Sequence, residues 1–246
     1  MNSKINLCLG LSLPLIKKVK MNTKKKEFVI LTIMIMQFSF AQLKTVIGKT
    51  DYPFWIKVPE KTEAQPLLLF LHGKSLSGTD INKVRKYGVL YAMDKGKEIP
   101  AVVVAPQLAS GSWNPDKVLE VLEYVKAHYN IDEKRIYVCG MSLGGYGTMH
   151  FAGKYPEKIT AAVEICGGGN TADGCRLGTI PTWLLHGDKD KLVKMSESEK
   201  VFDAIKGCNP KADTQFTVVK GGTHGSVERL FHEDAIYEWM FSKVRE

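Results

Sequence analysis

The sequence predicts a doubly wound α/β domain with a mostly parallel sheet, and two observations carry that expectation. First, short apolar runs recur at Leu67–Leu71, Ala101–Ala105, Ile136–Cys139, Ala161–Cys166, Thr182–Leu185 and Thr214–Val219. Most are continuous rather than alternating, which suits strands covered on both faces. Second, helix-period segments separate them. Val118, Leu122, Val121, Val125 and Tyr129 form one stripe, with Asn114 placed as N-cap and Pro115 at the first helical position. Another helix is expected from about Met195 to Ile205, burying Val201, Phe202 and Ile205. A C-terminal helical stretch carries Leu230, Phe231, Ile236, Trp239 and Met240. Tyr52–Val58 reads as an antiparallel edge strand at the start of the body. Repeated strand–helix alternation with no Pro/Ser-rich linker predicts one domain.

The N-terminal segment reads differently. From Met21 the chain runs through Lys24-Lys25-Lys26, the apolar stretch Phe28 to Phe40, and Ala41. This is the pattern of a secretory signal peptide, with cleavage expected near Ala41. The run is short of the roughly 20 apolar residues a bilayer-spanning anchor needs. Residues 1–41 are thus read as an upstream extension plus signal peptide, with Met21 the natural start. Residues 42–246 form the mature domain, secreted or periplasmic.

The leader also explains the charge. The net charge of +8 suggests a polyanion binder until its distribution is considered. Residues 1–41 hold seven of the 34 basic residues and one of the 26 acidic ones. The body keeps 27 basic against 25 acidic residues, a net +2. Nucleic acid is therefore not expected as a partner. Four body cysteines, Cys139, Cys166, Cys175 and Cys208, allow three full pairings. Cys175 and Cys208 lie in polar, Gly-rich stretches and are the favoured pair. Cys139 ends an apolar run and is expected to be buried. No Cys/His spacing resembles a zinc site, so no metal is expected.

The chemistry concentrates in three loops. Ile136–Cys139 leads into Gly140-Met141-Ser142-Leu143-Gly144-Gly145, a G-x-S-x-G directly between strand and helix. The glycines relieve a strained turn that exposes the serine hydroxyl above the carboxyl edge of the sheet. The same turn places the Leu143 N–H where an oxyanion would develop. Outside that strand–turn–helix context the motif would be an ordinary Gly-rich loop. A serine hydroxyl needs a base, and His224 in Gly221-Gly222-Thr223-His224-Gly225 follows the strand-like Thr214–Val219. The base needs a carboxylate, and Asp190 and Asp188 both follow Thr182–Leu185. Of the other histidines, His72 and His186 read as structural at strand ends, while His128 and His150 lie within helices. His232 is the rival base, placed in the final helical stretch. The order Ser142, Asp190, His224 is that of nucleophile, acid and base in the α/β-hydrolases.

Here the chain resembles a family, the compact esterases of the α/β-hydrolase superfamily, and within it polyhydroxybutyrate-depolymerase-like and feruloyl-esterase-like proteins. The resemblance rests on Leu69-Phe70-Leu71-His72-Gly73, Val104-Ala105-Pro106-Gln107, Arg135 through Thr148, Ile165-Cys166-Gly167-Gly168-Gly169, Pro181 through Gly187, Asp190 with Val193, and Gly222 with His224. It implies an α/β-hydrolase fold and favours Asp190 over Asp188, and the short segment between Cys166 and Pro181 predicts no large lid. It also implies the Lys74 N–H as a second oxyanion donor and Trp113 as an aromatic bordering the substrate. Trp113 reads equally as a packing residue. No cofactor is implied. The expected activity is hydrolysis of short-chain or aromatic acyl esters, such as acetyl or feruloyl groups on polysaccharide. A serine peptidase with the same triad and a noncatalytic binding protein on this fold are the alternatives.

Overall fold

The computed structural model describes residues 43–246. The predicted leader lies outside the described residues. Eight strands form one sheet in the order β1-β2-β4-β3-β5-β6-β7-β8. They are β1 Leu43–Val46, β2 Phe54–Lys57, β3 Gln65–Leu71, β4 Val102–Pro106, β5 Ile131–Met141, β6 Ala161–Ile165, β7 Thr182–Gly187 and β8 Thr214–Val219. β2 runs antiparallel to β1 and β4, and every other pairing is parallel. The α-helices are α1 Val89–Asp94, α2 Pro115–His128, α3 Leu143–Lys154, α4 Gly174–Leu177, α5 Ser196–Cys208 and α6 Ala235–Phe241. This is the doubly wound, mostly parallel sheet that the sequence predicts.

The continuous apolar runs have a simple cause, because both faces of the central sheet are covered. Along β3, Leu67, Leu69 and Leu71 join one core layer with Val121, Leu122 and Val125 of α2, Phe151 of α3 and Val201 of α5. The intervening Leu68 and Phe70 join the opposite layer with Val89 and Leu90 of α1, Phe231, and Ile236 and Met240 of α6. Each fully buried aliphatic side chain contributes roughly 1.5–3 kcal/mol of apolar transfer, so this alternation is strongly specified. Asn114 caps α2 as expected, its Oδ1 accepting from Asp116 N at 2.8 Å with Pro115 at the first position.

Several expectations need correction. β2 is not an edge strand, because β1 pairs outside it. β1 is four residues of mixed polarity and largely exposed, too short to show a periodic signal. β8 is an edge, and Gln215, Thr217 and Val218 are exposed there. The fifth strand starts well before Ile136, its charged first half running beside Gln65 past a register shift. The C-terminal helical stretch is two pieces, a 3₁₀ segment Ser226–His232 and then α6. Phe202 is only half-buried against the core. The favoured cysteine pair holds, Cys175 and Cys208 forming a disulfide that joins α4 to the end of α5. Among the described residues, Cys139 and Cys166 remain buried thiols. No helix among the described residues is long and apolar enough to cross a membrane.

Candidate active site

Ser142 occupies the turn between β5 and α3 at φ 59° and ψ −124°. A non-glycine residue there costs about 1–3 kcal/mol, and the surroundings hold it in place. Its N–H donates to Ile165 O at 2.9 Å. The flanking glycines are required by close approach of backbone. A Cβ on Gly140 would lie 2.3 Å from Gly144 O, and one on Gly144 would lie 1.8 Å from Leu71 O. Leu143 is the first residue of α3, where the leading N–H groups have no intrahelical acceptor. Gly73 lies beside the serine, a Cβ there falling 3.4 Å from Ser142 Cβ. Lys74 follows it and lines the same cavity as Ser142.

Two further loops meet across Gly187 and Gly222, where a Cβ on Gly187 would stand 2.2 Å from Gly222 O. That contact brings the ends of β7 and β8 together. His224 Nδ1 lies 2.6 Å from Asp190 Oδ2. Asp190 Oδ1 accepts from Leu192 N at 2.8 Å and Val193 N at 3.0 Å. Burial pushes the Asp190 carboxyl up. The hydrogen bonds from Val193, His224 and Leu192 outweigh it and hold the group below the ordinary carboxylate range. Asp190 is therefore a buried, oriented anion beside His224. Asp188 is used elsewhere, accepting from Gly221 N at 2.7 Å.

Ser142 and His224 both line a cavity of about 880 Å³. Among the described residues, the hydrogen bond of His224 is to Asp190 and none joins it to Ser142. The rest of the wall is Lys74, Ser75, Lys86, Tyr87, Tyr91, Met141, Leu192, Val193, Gly225 and Glu228. Sequence reasoning missed Tyr87, Tyr91, Leu192 and Glu228, which come from separate segments with no shared motif. Trp113 is not in this wall. It is buried, packed edge-on against Tyr52 and His72, and its Nε1 donates to His72 O at 3.1 Å. These contacts are those of a packing tryptophan.

The remaining histidines have local work. His72 is buried, with Nε2 accepting from Leu108 N at 3.0 Å, and burial pulls its pKa down to about 4. His186 Nε2 lies 3.0 Å from Val193 O and 3.5 Å from Asp190 Oδ2. His128 Nδ1 bonds Tyr124 O, and His232 Nε2 faces Glu228 Oε1 at 3.3 Å. Donor atoms of Cys166, His186 and Asp190 gather within 4.8 Å of one another. Both Asp190 oxygens and His186 Nε2 already have hydrogen-bond partners there, and burial pushes the Cys166 thiol up.

Comparison with known proteins bears on the family and the fold. The family model described as the dienelactone hydrolase family matches residues 105–235. The chain is 28% identical over 162 residues to a bifunctional acetylxylan esterase/xylanase from Neocallimastix patriciarum, covering 61% of this chain and 23% of that protein. It is 31% identical over 108 residues to an uncharacterized carboxylesterase from Bacillus subtilis (strain 168), covering 41% of this chain and 33% of that protein. The chain thus spans about a quarter to a third of these curated relatives. A solved thermostable esterase superposes with a TM-score of 0.71 at 28% identity, over 82% of this chain and 63% of that one. A ferulic acid esterase superposes with a TM-score of 0.63 at 15% identity, over 82% and 98% of the two chains, a likeness of fold alone. The fold is the α/β-hydrolase fold.

Proposed function

The chain belongs to the dienelactone hydrolase family, and from that premise we propose that it is an exported serine esterase using Ser142, His224 and Asp190. The observation that carries the reading is the Asp190–His224 hydrogen bond at the wall of the cavity that Ser142 also lines. His224 Nε2 takes the Ser142 proton as Oγ attacks the ester carbonyl. Asp190 fixes the imidazole with its proton on Nδ1 and stabilises the imidazolium. The Leu143 and Lys74 N–H groups hold the tetrahedral oxyanion, each donor worth about 3–4 kcal/mol in the transition state. His224 then protonates the leaving alcohol, and water releases the acyl group from Ser142. The steps need no cofactor.

The substrate class is a short or aromatic acyl ester, with acetyl or feruloyl groups on polysaccharide as the natural candidates. Similarity to an acetylxylan esterase/xylanase supports that choice. An open cavity partly walled by Tyr87, Tyr91 and Leu192 suits a flat or small acyl group on a bulky alcohol. Export is supported by the leader-like run before Ala41 and by a disulfide in the body.

The test is hydrolysis of p-nitrophenyl esters from acetate to octanoate by wild type and Ser142→Ala. Cleavage of short esters by wild type alone is expected. Preference for peptide anilides would make the protein a peptidase. A folded wild type that is inert and resists a fluorophosphonate would make it a binding protein.

A further inference from the structure

Tyr87 stands just before α1 and lines the cavity that Ser142 and His224 also line, yet no step of the ester mechanism uses it. Its hydroxyl comes close to the nucleophile. A Cβ on Gly73 would lie 3.0 Å from Tyr87 Oη and 3.4 Å from Ser142 Cβ. The phenol and the nucleophile thus border one gap, and the missing side chain of Gly73 keeps it open. Gly73 also precedes Lys74, the second backbone donor of the proposed oxyanion site.

The position of Tyr87 is fixed through its neighbour. Gly88 N donates to Glu228 Oε1 at 2.8 Å, which ties the chain here to the segment just after His224. Gly88 has φ +80° and packs on a core ring of β3, a Cβ there falling 2.2 Å from Phe70 Cζ. The phenol oxygen then meets Ser75 Oγ at 2.5 Å, from the 3₁₀ turn Lys74–Leu76 that follows Gly73. Donor arithmetic decides what this pair can do. Two hydroxyls hold two protons, and the bond between them uses one. Neither oxygen has another hydrogen-bond partner among the described residues. Whichever hydroxyl donates, the pair keeps one proton for a third group, and both residues line the cavity. Burial pushes the Tyr87 phenol up, so it stays protonated through the neutral range.

We propose that Tyr87 is a further catalytic residue, its O–H donating to the ester carbonyl oxygen as that oxygen becomes an oxyanion beside the Leu143 and Lys74 N–H groups. The proposal rests on the esterase reading. Tyr87 rather than Ser75 is the donor, because a phenol is the more acidic hydroxyl and its oxygen borders the gap beside Ser142. Ser75 turns its own proton to Tyr87 Oη, and that bond strengthens the phenol as a donor. No proton changes owner. The phenol lends a hydrogen bond that strengthens as negative charge develops on the substrate.

The experiment compares wild type, Tyr87→Phe, Ser75→Ala and the double variant. It reads kcat and KM on p-nitrophenyl acetate, and the Ki of a short alkylboronic acid whose tetrahedral adduct with serine mimics the charged intermediate. Tyr87→Phe should lower kcat about 10²-fold with KM nearly unchanged, and raise Ki by a similar factor. Ser75→Ala leaves the phenol its proton and should cost only a few-fold. The double variant should be no worse than Tyr87→Phe alone. A Tyr87→Phe kcat within a few-fold of wild type overturns the proposal, and so does a larger loss at Ser75→Ala. A rise in KM with kcat unchanged also overturns it, since the phenol would then serve binding alone. Phenylalanine keeps the ring, and matched urea midpoints check that the variant folds. Should it fail to fold, a fluorinated tyrosine placed at position 87 keeps both ring and hydroxyl. Its more acidic phenol must bring the alkaline loss of kcat to lower pH, and an unmoved limb overturns the proposal. Wild-type hydrolysis no faster than that of Ser142→Ala sinks the esterase reading and this proposal with it. Hydrolysis that depends on Ser142 but not on Tyr87 sinks this proposal alone.

Discussion

Gly144 lies so close to Leu71 that a Cβ added to it would stand 1.8 Å from the Leu71 carbonyl oxygen. The obstacle is the backbone of a central buried strand, which cannot step aside. Gly144→Ala should therefore either force the Ser142 turn open or displace β3. The expected loss is about 3 kcal/mol or more, at the upper end for overpacking. Urea unfolding measures it, and fluorophosphonate labelling of Ser142 should fall in parallel. A variant with wild-type stability and labelling would mean that this contact does not shape the turn.

Asp190 and Asp188 follow the same strand but differ in their partners. Asp190→Asn changes the group bonded to His224 and should lower kcat about 10³–10⁴-fold, since an amide cannot stabilise the imidazolium. Asp188→Asn keeps an oxygen to accept from Gly221 N and should leave kcat within a few-fold. Steady-state kinetics on one ester decides the assignment. A larger loss at Asp188 would reverse it.

These residues also show what a sequence can display. Leu67 and Leu68 face opposite layers, yet both are apolar because helices cover both sides of β3, so strand identity and sheet type were legible in a continuous run. Ser142, Asp190 and His224 were legible because each follows its own strand at the same sheet edge, and chain order preserves that placement. Leu43–Val46 escaped because four half-exposed residues carry no period. Tyr87 and Leu192 reach the cavity from unrelated loops, and no spacing rule joins them. Glu164 had a visible signal, an acid inside an apolar run. It is fully buried in β6.

The Cys175–Cys208 disulfide closes a loop with a sequence separation of 33. Restricting the unfolded chain over that length is worth roughly 3–4 kcal/mol. Reduction, or replacement of both cysteines by serine, should lower the urea midpoint accordingly. Neither residue lines the cavity, so ester hydrolysis under native conditions should change little. Cys139 and Cys166 are buried thiols and should not cross-link in the variant. Unchanged stability after reduction would show that the bridge acts on a segment that is already locally ordered in the unfolded state.

His72 and Glu164 should pull stability in opposite directions over one pH window. Burial lowers His72 from 6.5 to about 4, and its Nε2 accepts from Leu108 N, so protonation would set donor against donor. Between those values the unfolded chain binds more protons, and stability falls on acidification. Burial raises Glu164 from 4.5 to about 7. Between those values the folded chain binds more protons, and stability rises on acidification. Each contributes at most about 1.4 kcal/mol per pH unit, so the two largely cancel from roughly pH 6.5 to roughly pH 4.5. Glu164→Gln removes one side of that balance. Relative to wild type, the variant should lose about 2 kcal/mol on acidification through this window, read from denaturant midpoints at several pH values. Other titrating groups are common to both proteins and drop out of the difference. Midpoints that run parallel with pH would mean that Glu164 ionises in the folded protein much as it does in the unfolded chain.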